Sequence, residues 1–515
     1  MKKRKTVMAL MIIAGLSKFV GFFREIVLSY FWGASNISDA YLISTTIPTT
    51  IFTFIGAGIT TGFIPIYTEI KKNHGKDRAI EFINKLIITT LSICTLLIIA
   101  GEIFCGSLVK VFASGFDVET YNIALTFTRV SLFEIGFTTL MYIFTAFLQT
   151  EDSFIPVACA SFPMNLMTIV AIILSSGGNY YYLCIGCLVA SFIQAIFLIP
   201  FAVRKKYRII KVNKPFSDGK IREMFLLAMP TIIGTSVNDI NVLVDRTLAS
   251  SLSIGGISAL NYASKINAFL QGVIVLSIVS YIYPKISLYA GNDDKRSLNK
   301  IINEVVITIS FILLPASAIL LLFSNECISI VFGRGAFNNE AITMTSSVLA
   351  FYSIGMIANG LREVYSRVLF AYKDSKTPMV NGVFGMIINI VFNIVLSSFM
   401  GISGLALATS ISSFFILGML IRSTYKKNVW RPSTTFRTTI IKIIILTALM
   451  CIVVILSSKF LDLIGLDLHK YLRMLIALAA GMVTYIVGAF LLKINEVKDL
   501  ISPINKKNQG DVYEN

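Results

Sequence analysis

Lys18, Arg24 and Glu25 lie inside an apolar run, residues 7–32, that is otherwise suited to hydrocarbon. A charge near mid-bilayer costs at least about 2.5–3.5 kcal/mol, so it faces a water-filled cavity or a partner. Lys18 and Glu25 are seven residues apart, two helical turns, and share a face. Arg24 points roughly 100° away from Glu25, toward a different neighbour. Asp39 opens the next apolar run, and Lys265 falls well inside a later one. Cations converging from separate halves of the chain would build a basic cavity for an anionic headgroup. The candidate substrate contacts are therefore Lys18, Arg24, Glu25, Asp39 and Lys265. Other intramembrane charges have a plainer structural reading: Arg129 pairs with Glu134 or a helix end, Arg246 pairs with Asp245 or another acid, and Arg362 and Glu363 are likewise structural.

A second constellation is polar but nearly uncharged. Asp239 and Asp245 in one run could face Asn389 and Asn393 in another, and the two asparagines are i, i+4 on one helical face. A carboxylate with amide oxygens, lacking thiol or imidazole, suits a hard cation such as Na⁺. Interhelical hydrogen bonding is the competing reading.

The elements that carry these residues are membrane spans. The chain is 55% hydrophobic and 14% charged, against about 25% charged in soluble proteins. Its mean hydropathy is +0.78. Apolar runs of about 20 residues, enough to cross about 30 Å of hydrocarbon, recur throughout. The expected fold is an all-α polytopic membrane protein with about fourteen spans. They lie near 7–32, 41–69, 84–106, 122–148, 154–176, 181–202, 224–250, 257–288, 301–323, 342–370, 378–399, 403–422, 438–458 and 472–492. Loop charge sets the orientation. One set of loops collects Lys71, Lys72, Lys76, Arg78, Arg204, Lys205, Lys206, Arg208 and Lys211, while "GASNISD", "SSGGNYY", "SSLSIGG" and "SSFMGIS" carry no Lys or Arg. Positive loops face the cytoplasm, which puts both termini there. The run after Lys2-Lys-Arg-Lys5 continues to Trp32 and reads as an uncleaved first span.

The chain also repeats. Residues 34–68 can be laid on 255–288, sharing Tyr41 with Tyr262 and Pro65 with Pro284; "PVACASFPM" (156–164) can be laid on "PMVNGVFGM" (378–386). The offset of about 220 residues holds six spans, so the repeats run parallel. This predicts an N-terminal lobe (1–202), a basic cytoplasmic linker (203–223), a C-terminal lobe (224–422), and an appendage of two spans and a tail (423–515). Two six-helix lobes are a transporter architecture.

Several function classes recede. The net charge of +17 sits in short loops, which favours membrane orientation over nucleic-acid binding. Cys184 and Cys187 have CxxC spacing but lie in a span, where small packing residues are the simpler reading. The only histidines are His74 and His469. No reactive constellation suggests an enzyme, no ATP-binding motif is present, and no cofactor is expected beyond a coupling Na⁺.

"GFFREIVLSYFWGASNISDAYLISTTIPTTIF", "NVLVDRTLASSLSIGGISALNYASKI", "FGRGAF" and "YKDSKTPM" resemble the MviN/MurJ family of lipid II flippases, within the multidrug/oligosaccharidyl-lipid/polysaccharide exporter superfamily. The resemblance runs over about residues 5–430. It implies a two-lobe fold whose central cavity opens alternately to the two membrane faces. Its substrate would be lipid II, a disaccharide-pentapeptide on undecaprenyl pyrophosphate, moved from the inner to the outer leaflet of the bacterial cytoplasmic membrane. Arg24 matches a family arginine, while Lys18 and Lys265 stand where arginine is usual. The resemblance also implies a tail groove in spans 13 and 14, and a sodium site at Asp245, Asn389, Asn393 and Thr409. The chain departs from the family at Phe52 and Thr53, where the family often has arginines, and at "GAG" (56–58). Lysine carries charge but cannot grip phosphate with a fork. A monomeric flippase for lipid II is the leading expectation. The alternatives are a flippase for another polyprenyl-pyrophosphate saccharide and a cation-coupled exporter of small molecules.

Overall fold

The computed structural model describes residues 2–212, 216, 218–463 and 470–494; among them there are helices and connecting turns but no strand. The first nine helices are α1 (Lys2–Trp32), α2 (Asn36–Ile103), α3 (Cys105–Phe112), α4 (Val118–Leu132), α5 (Glu134–Thr150), α6 (Phe154–Cys159), α7 (Ser161–Ser175), α8 (Tyr181–Arg204) and α9 (Gly219–Leu252). They are followed by α10 (Gly256–Gly291), α11 (Lys295–Leu322), α12 (Ser324–Val331), α13 (Asn339–Ala371), α14 (Lys376–Met400), α15 (Ile402–Lys426), α16 (Thr434–Leu463) and α17 (Lys470–Leu491).

Among the described residues, eleven helical segments are long and apolar enough to cross a membrane. A twelfth is the bent pair Gly219–Met229 and Gly234–Leu252, which turns by 62°. The expected number of fourteen is not confirmed by this count. One reason is α2: its 68 residues would extend about 100 Å as a single helix, far more than one bilayer needs. The two spans expected at 41–69 and 84–106 both fall in it, divided at Gly75 (φ 84°, ψ 173°). That backbone conformation belongs almost solely to glycine. The helix α1, with its three internal charges, also stands outside the eleven.

The helices begin where polar side chains cap them. Ser35 and Ser38 form a capping box at the start of α2. Asp117, Asp218 and Asp294 accept backbone N–H groups at the starts of α4, α9 and α11. Each such cap is worth about 1 kcal/mol.

The internal repeat is visible in backbone conformation. Left-handed residues recur in pairs: Gly33 with Gly255 and Lys206 with Asn428, each pair 222 apart, and Asp152 with Lys373, 221 apart. The helices α8 and α15 start 221 residues apart. Recurrence of these uncommon conformations at one offset supports an internal duplication.

Two compact units make up the chain. The first comprises Met1–Tyr262, Val331–Met344 and Asn393–Ile402; the second comprises Ala263–Ile330, Thr345–Phe392 and Ser403–Asn515. In the first, α2 is the hub and packs against α4, α5 and α9, while α8 packs against α5 and α7. Small residues allow close helix approach there, as at Gly62 against Met224 and Gly101 against Leu132. In the second, α16 and α17 pack on α11 through Leu446, Met450, Val454, Ala477, Tyr485 and Ile307. The Tyr485 hydroxyl donates to the Phe311 carbonyl at 2.9 Å.

Candidate functional site: a membrane-embedded ionic network

Arg24 is half-buried on α1 and anchored from two sides. Its Nη2 donates to Glu25 Oε1 at 2.6 Å, and its Nη1 donates to Asn165 Oδ1 at 3.2 Å. Glu25 is buried, and its other oxygen accepts from Asn261 Nδ2 at 3.0 Å. Asn165 is itself set by donating from Nδ2 to the Ser161 carbonyl at 2.8 Å. Residues from α1, α7 and the start of α10 thus converge on one ion pair. Adjacent residues on a helix point about 100° apart, yet Arg24 and Glu25 meet because the guanidinium stem is long enough to turn back. The expectation that Arg24 reaches a different neighbour is half met, through Asn165.

Two hydrogen bonds leave N–H donors on the guanidinium uncommitted, since it carries five. Asn165 orients the group without cancelling its charge, whereas Glu25 does cancel it. Lys18 is exposed on α1 and makes no ion pair among the described residues. Lys265 is half-buried on α10 in the second unit.

Asp39 does structural work one helical turn away, at Ser258 of the helix whose Asn261 holds Glu25. It is 2% exposed and accepts from the Ser258 backbone N–H at 2.8 Å and from the Ser258 hydroxyl at 2.5 Å. It therefore caps the start of α10. Around it the chain is tightly folded: Tyr262 donates its hydroxyl to the Gly33 carbonyl at 3.0 Å, and the Ala336 N–H donates to the Tyr30 carbonyl at 2.8 Å. A Cβ on Gly33 would lie 2.5 Å from the Ala336 carbonyl oxygen, and one on Gly255 would lie 2.5 Å from that of Ala34. Both positions have positive φ and require glycine for conformation and space alike.

The cation candidates fall into two pairs. Asn393 Nδ2 donates to Asp245 Oδ1 at 2.6 Å within the first unit, and Asn389 Nδ2 donates to Thr409 Oγ1 at 3.3 Å within the second. All four residues offer hard oxygen ligands, which fits a cation such as Na⁺ by chemistry. Asp239, also on α9, lies outside these two pairs.

The other intramembrane charges find these partners. Arg129 meets Glu102 at 3.9 Å, not Glu134. Glu134 accepts from the Ser191 hydroxyl at 3.3 Å, and its other carboxyl oxygen is buried without a partner. Arg246 turns to α2, donating to the Leu42 carbonyl at 2.7 Å and to the Thr46 hydroxyl. Glu363 pairs one turn along its own helix with Arg367 at 2.9 Å. Phe52 is buried with its ring 4.9 Å from that of Tyr142, so core packing occupies this position. Cys184 and Cys187 are buried and free; the Tyr41 hydroxyl lies 3.2 Å from Cys187 Sγ, consistent with packing. His74 is exposed, and His469 lies outside the described residues.

Sequence reasoning did not select Asn165 or Asn261. The available signal was an amide side chain inside an apolar run, the same signal that singled out Asn389 and Asn393.

Residues 28–472 match the family described as Lipid II flippase MurJ. A probable lipid II flippase MurJ of Thermotoga maritima is 26% identical over 492 residues, covering 94% of this chain and 96% of its own. Another from Buchnera aphidicola subsp. Baizongia pistaciae is 24% identical, with coverages of 89% and 90%. Among solved structures, a lipid II flippase MurJ in an inward closed conformation superposes with a TM-score of 0.82 at 24% identity, covering 96% of this chain and 100% of that one. An inward-facing multidrug resistance MATE family transporter of the MOP superfamily superposes with a TM-score of 0.70 at 14% identity, with coverages of 82% and 96%. These superpositions establish a shared fold.

Proposed function

The chain belongs to the lipid II flippase MurJ family, and we propose that it carries lipid II from the inner to the outer leaflet of the cytoplasmic membrane by alternating access. It is a multi-pass membrane protein. The observation that carries the mechanism is the anchored Arg24, held by Glu25 and Asn165 within a membrane-embedded helix. A fixed guanidinium presents directed donors to a diphosphate, and charge-assisted bonds of this kind are about twice as strong as neutral ones. Because Glu25 neutralises Arg24, further attraction for the pyrophosphate on this unit would come from Lys18 of α1, which makes no ion pair among the described residues; Lys265, on α10 of the second unit, is a second candidate contact. Asn261 holds Glu25 so that the ion pair does not rotate away from the substrate path.

The undecaprenyl tail stays in lipid. The apolar face of α17, including Leu475, Met482 and Val483, is exposed and suited to it. Reorientation of a cationic site is sensitive to the membrane potential, at about 2.3 kcal/mol per charge per 100 mV. Coupling to sodium, through the oxygens that Asp245 and Asn393 offer in one unit or those that Asn389 and Thr409 offer in the other, would add a second source of drive. In this reading the protein works as a monomer with both termini cytoplasmic, performs transport and not covalent chemistry, and needs no nucleic acid.

One observation favours the related reading, a flippase for a different polyprenyl-pyrophosphate saccharide. Phe52 is packed into the core where the family often has a cation, so headgroup contacts differ there. Complementation separates the readings. Expression of this chain in cells depleted of their own lipid II flippase is expected to restore growth, and Arg24→Ala at equal expression is expected to abolish it. No rescue by the well-expressed parent protein would favour the other saccharide.

A further inference from the structure

Beyond transport, the surface at the end of α8 has an arrangement that calls for a partner. The helix ends at Arg204, and Lys206, at φ 68°, turns the chain. The next stretch is pinned by a single side chain of α2. Asn84 accepts at Oδ1 from the Tyr207 hydroxyl at 3.3 Å and from the Ile210 N–H at 3.5 Å, and donates from Nδ2 to the Arg208 carbonyl at 3.1 Å. Tyr207 is buried. Arg208 is paired with Asp77 at 2.8 Å, and Lys205 donates to the Glu151 carbonyl at 2.7 Å.

With those residues committed, the others are forced outward. Ile209 is 88% exposed, although its backbone neighbours are fixed on both sides. Arg204, Lys206 and Lys211 are exposed and form no ion pair among the described residues; Arg204 lies over the Phe201 ring at 5.7 Å. The outward strip therefore alternates apolar and basic. It also continues a lipid-facing surface, because Phe192, Ile196 and Val203 of the same spanning helix are exposed.

We propose that residues 203–211 form a docking strip for anionic phospholipid headgroups on the leaflet where α8 ends. Ile209 and Val203 enter the acyl boundary, while Arg204, Lys206 and Lys211 meet phosphate. Continuity with the hydrocarbon-facing side of α8 favours lipid over a soluble anion, and the basic side chains favour anionic over zwitterionic lipid. The strip joins the repeated halves of the chain, so its lipid contacts act on the segment that links them.

The test does not use transport. The full chain carrying Ile209→Trp is placed in nanodiscs with lipids brominated in the acyl chain, and the parent protein's fluorescence change is subtracted. The expected result is quenching that is stronger with phosphatidylglycerol than with phosphatidylcholine and weakens with salt. The combined change of Arg204, Lys206 and Lys211 to glutamine is expected to remove that preference, each base contributing about fivefold. Equal quenching in both lipids, no quenching, or an unchanged preference in the triple variant with an unaltered melting temperature would each overturn the proposal.

Discussion

At the scale of single residues, the account rests on Arg24 and what holds it. Glu25 has a side chain only 5% exposed and forms an ion pair with Arg24. Removing one member of such a pair leaves a buried charge and costs about 3–5 kcal/mol. Arg24→Ala is therefore expected to lower thermal stability as well as transport, and Glu25→Gln in the same chain to recover part of the stability but none of the transport. A double-mutant cycle by thermal melting in detergent should give a coupling of about 0.5–3 kcal/mol. Additive melting shifts would show that the ion pair does not hold the site. A second residue-scale prediction concerns Glu151, outside the spans. Partial burial works against its charged form, but hydrogen bonds from Lys71, Lys76 and Tyr67 outweigh this and hold its carboxyl below the usual range. A depressed acid stabilises the fold above its unfolded value of about 4.3 and loses that contribution as pH falls through the folded value. The melting difference between the parent and Glu151→Gln should accordingly shrink as pH falls below about 4.3. A constant difference would contradict this.

At the scale of elements, α2 shows both what sequence reading reaches and where it stops. Its two apolar stretches were legible because hydropathy depends on composition alone. Their fusion across Gly75 was not, since His74 and the charged residues around it read equally well as a loop. Gly75→Ala is expected to cost about 1–3 kcal/mol, because its backbone angles are closed to other residues. A melting temperature equal to that of the parent would show that the break is not needed. The repeat was legible from Tyr41 with Tyr262 and from the prolines, and the paired left-handed residues carry it into backbone geometry. Asp39 was legible as an intramembrane acid, but not its use. Whether a carboxylate meets a substrate or caps a helix depends on Ser258, 219 residues away.

At the scale of the whole molecule, membrane class and helical fold followed from low charge and recurrent apolar runs, and the family followed from short motifs in the N-terminal and middle regions. The polar connections inside the site were the illegible part. Arg24 with Asn165 joins residues 141 apart, and Glu25 with Asn261 joins residues 236 apart; nothing local in the chain specifies either. The central claim is that this chain moves lipid II through a site organised by Arg24. Purified protein reconstituted in vesicles with fluorescently labelled lipid II, with a membrane-impermeant quencher reporting the outer leaflet, tests it most directly. The account predicts protein-dependent transfer of the headgroup between leaflets, reduced about tenfold or more by Arg24→Ala, as loss of a charge-assisted bond requires. Transfer no faster than in protein-free vesicles, or equally fast with Arg24→Ala, would contradict it.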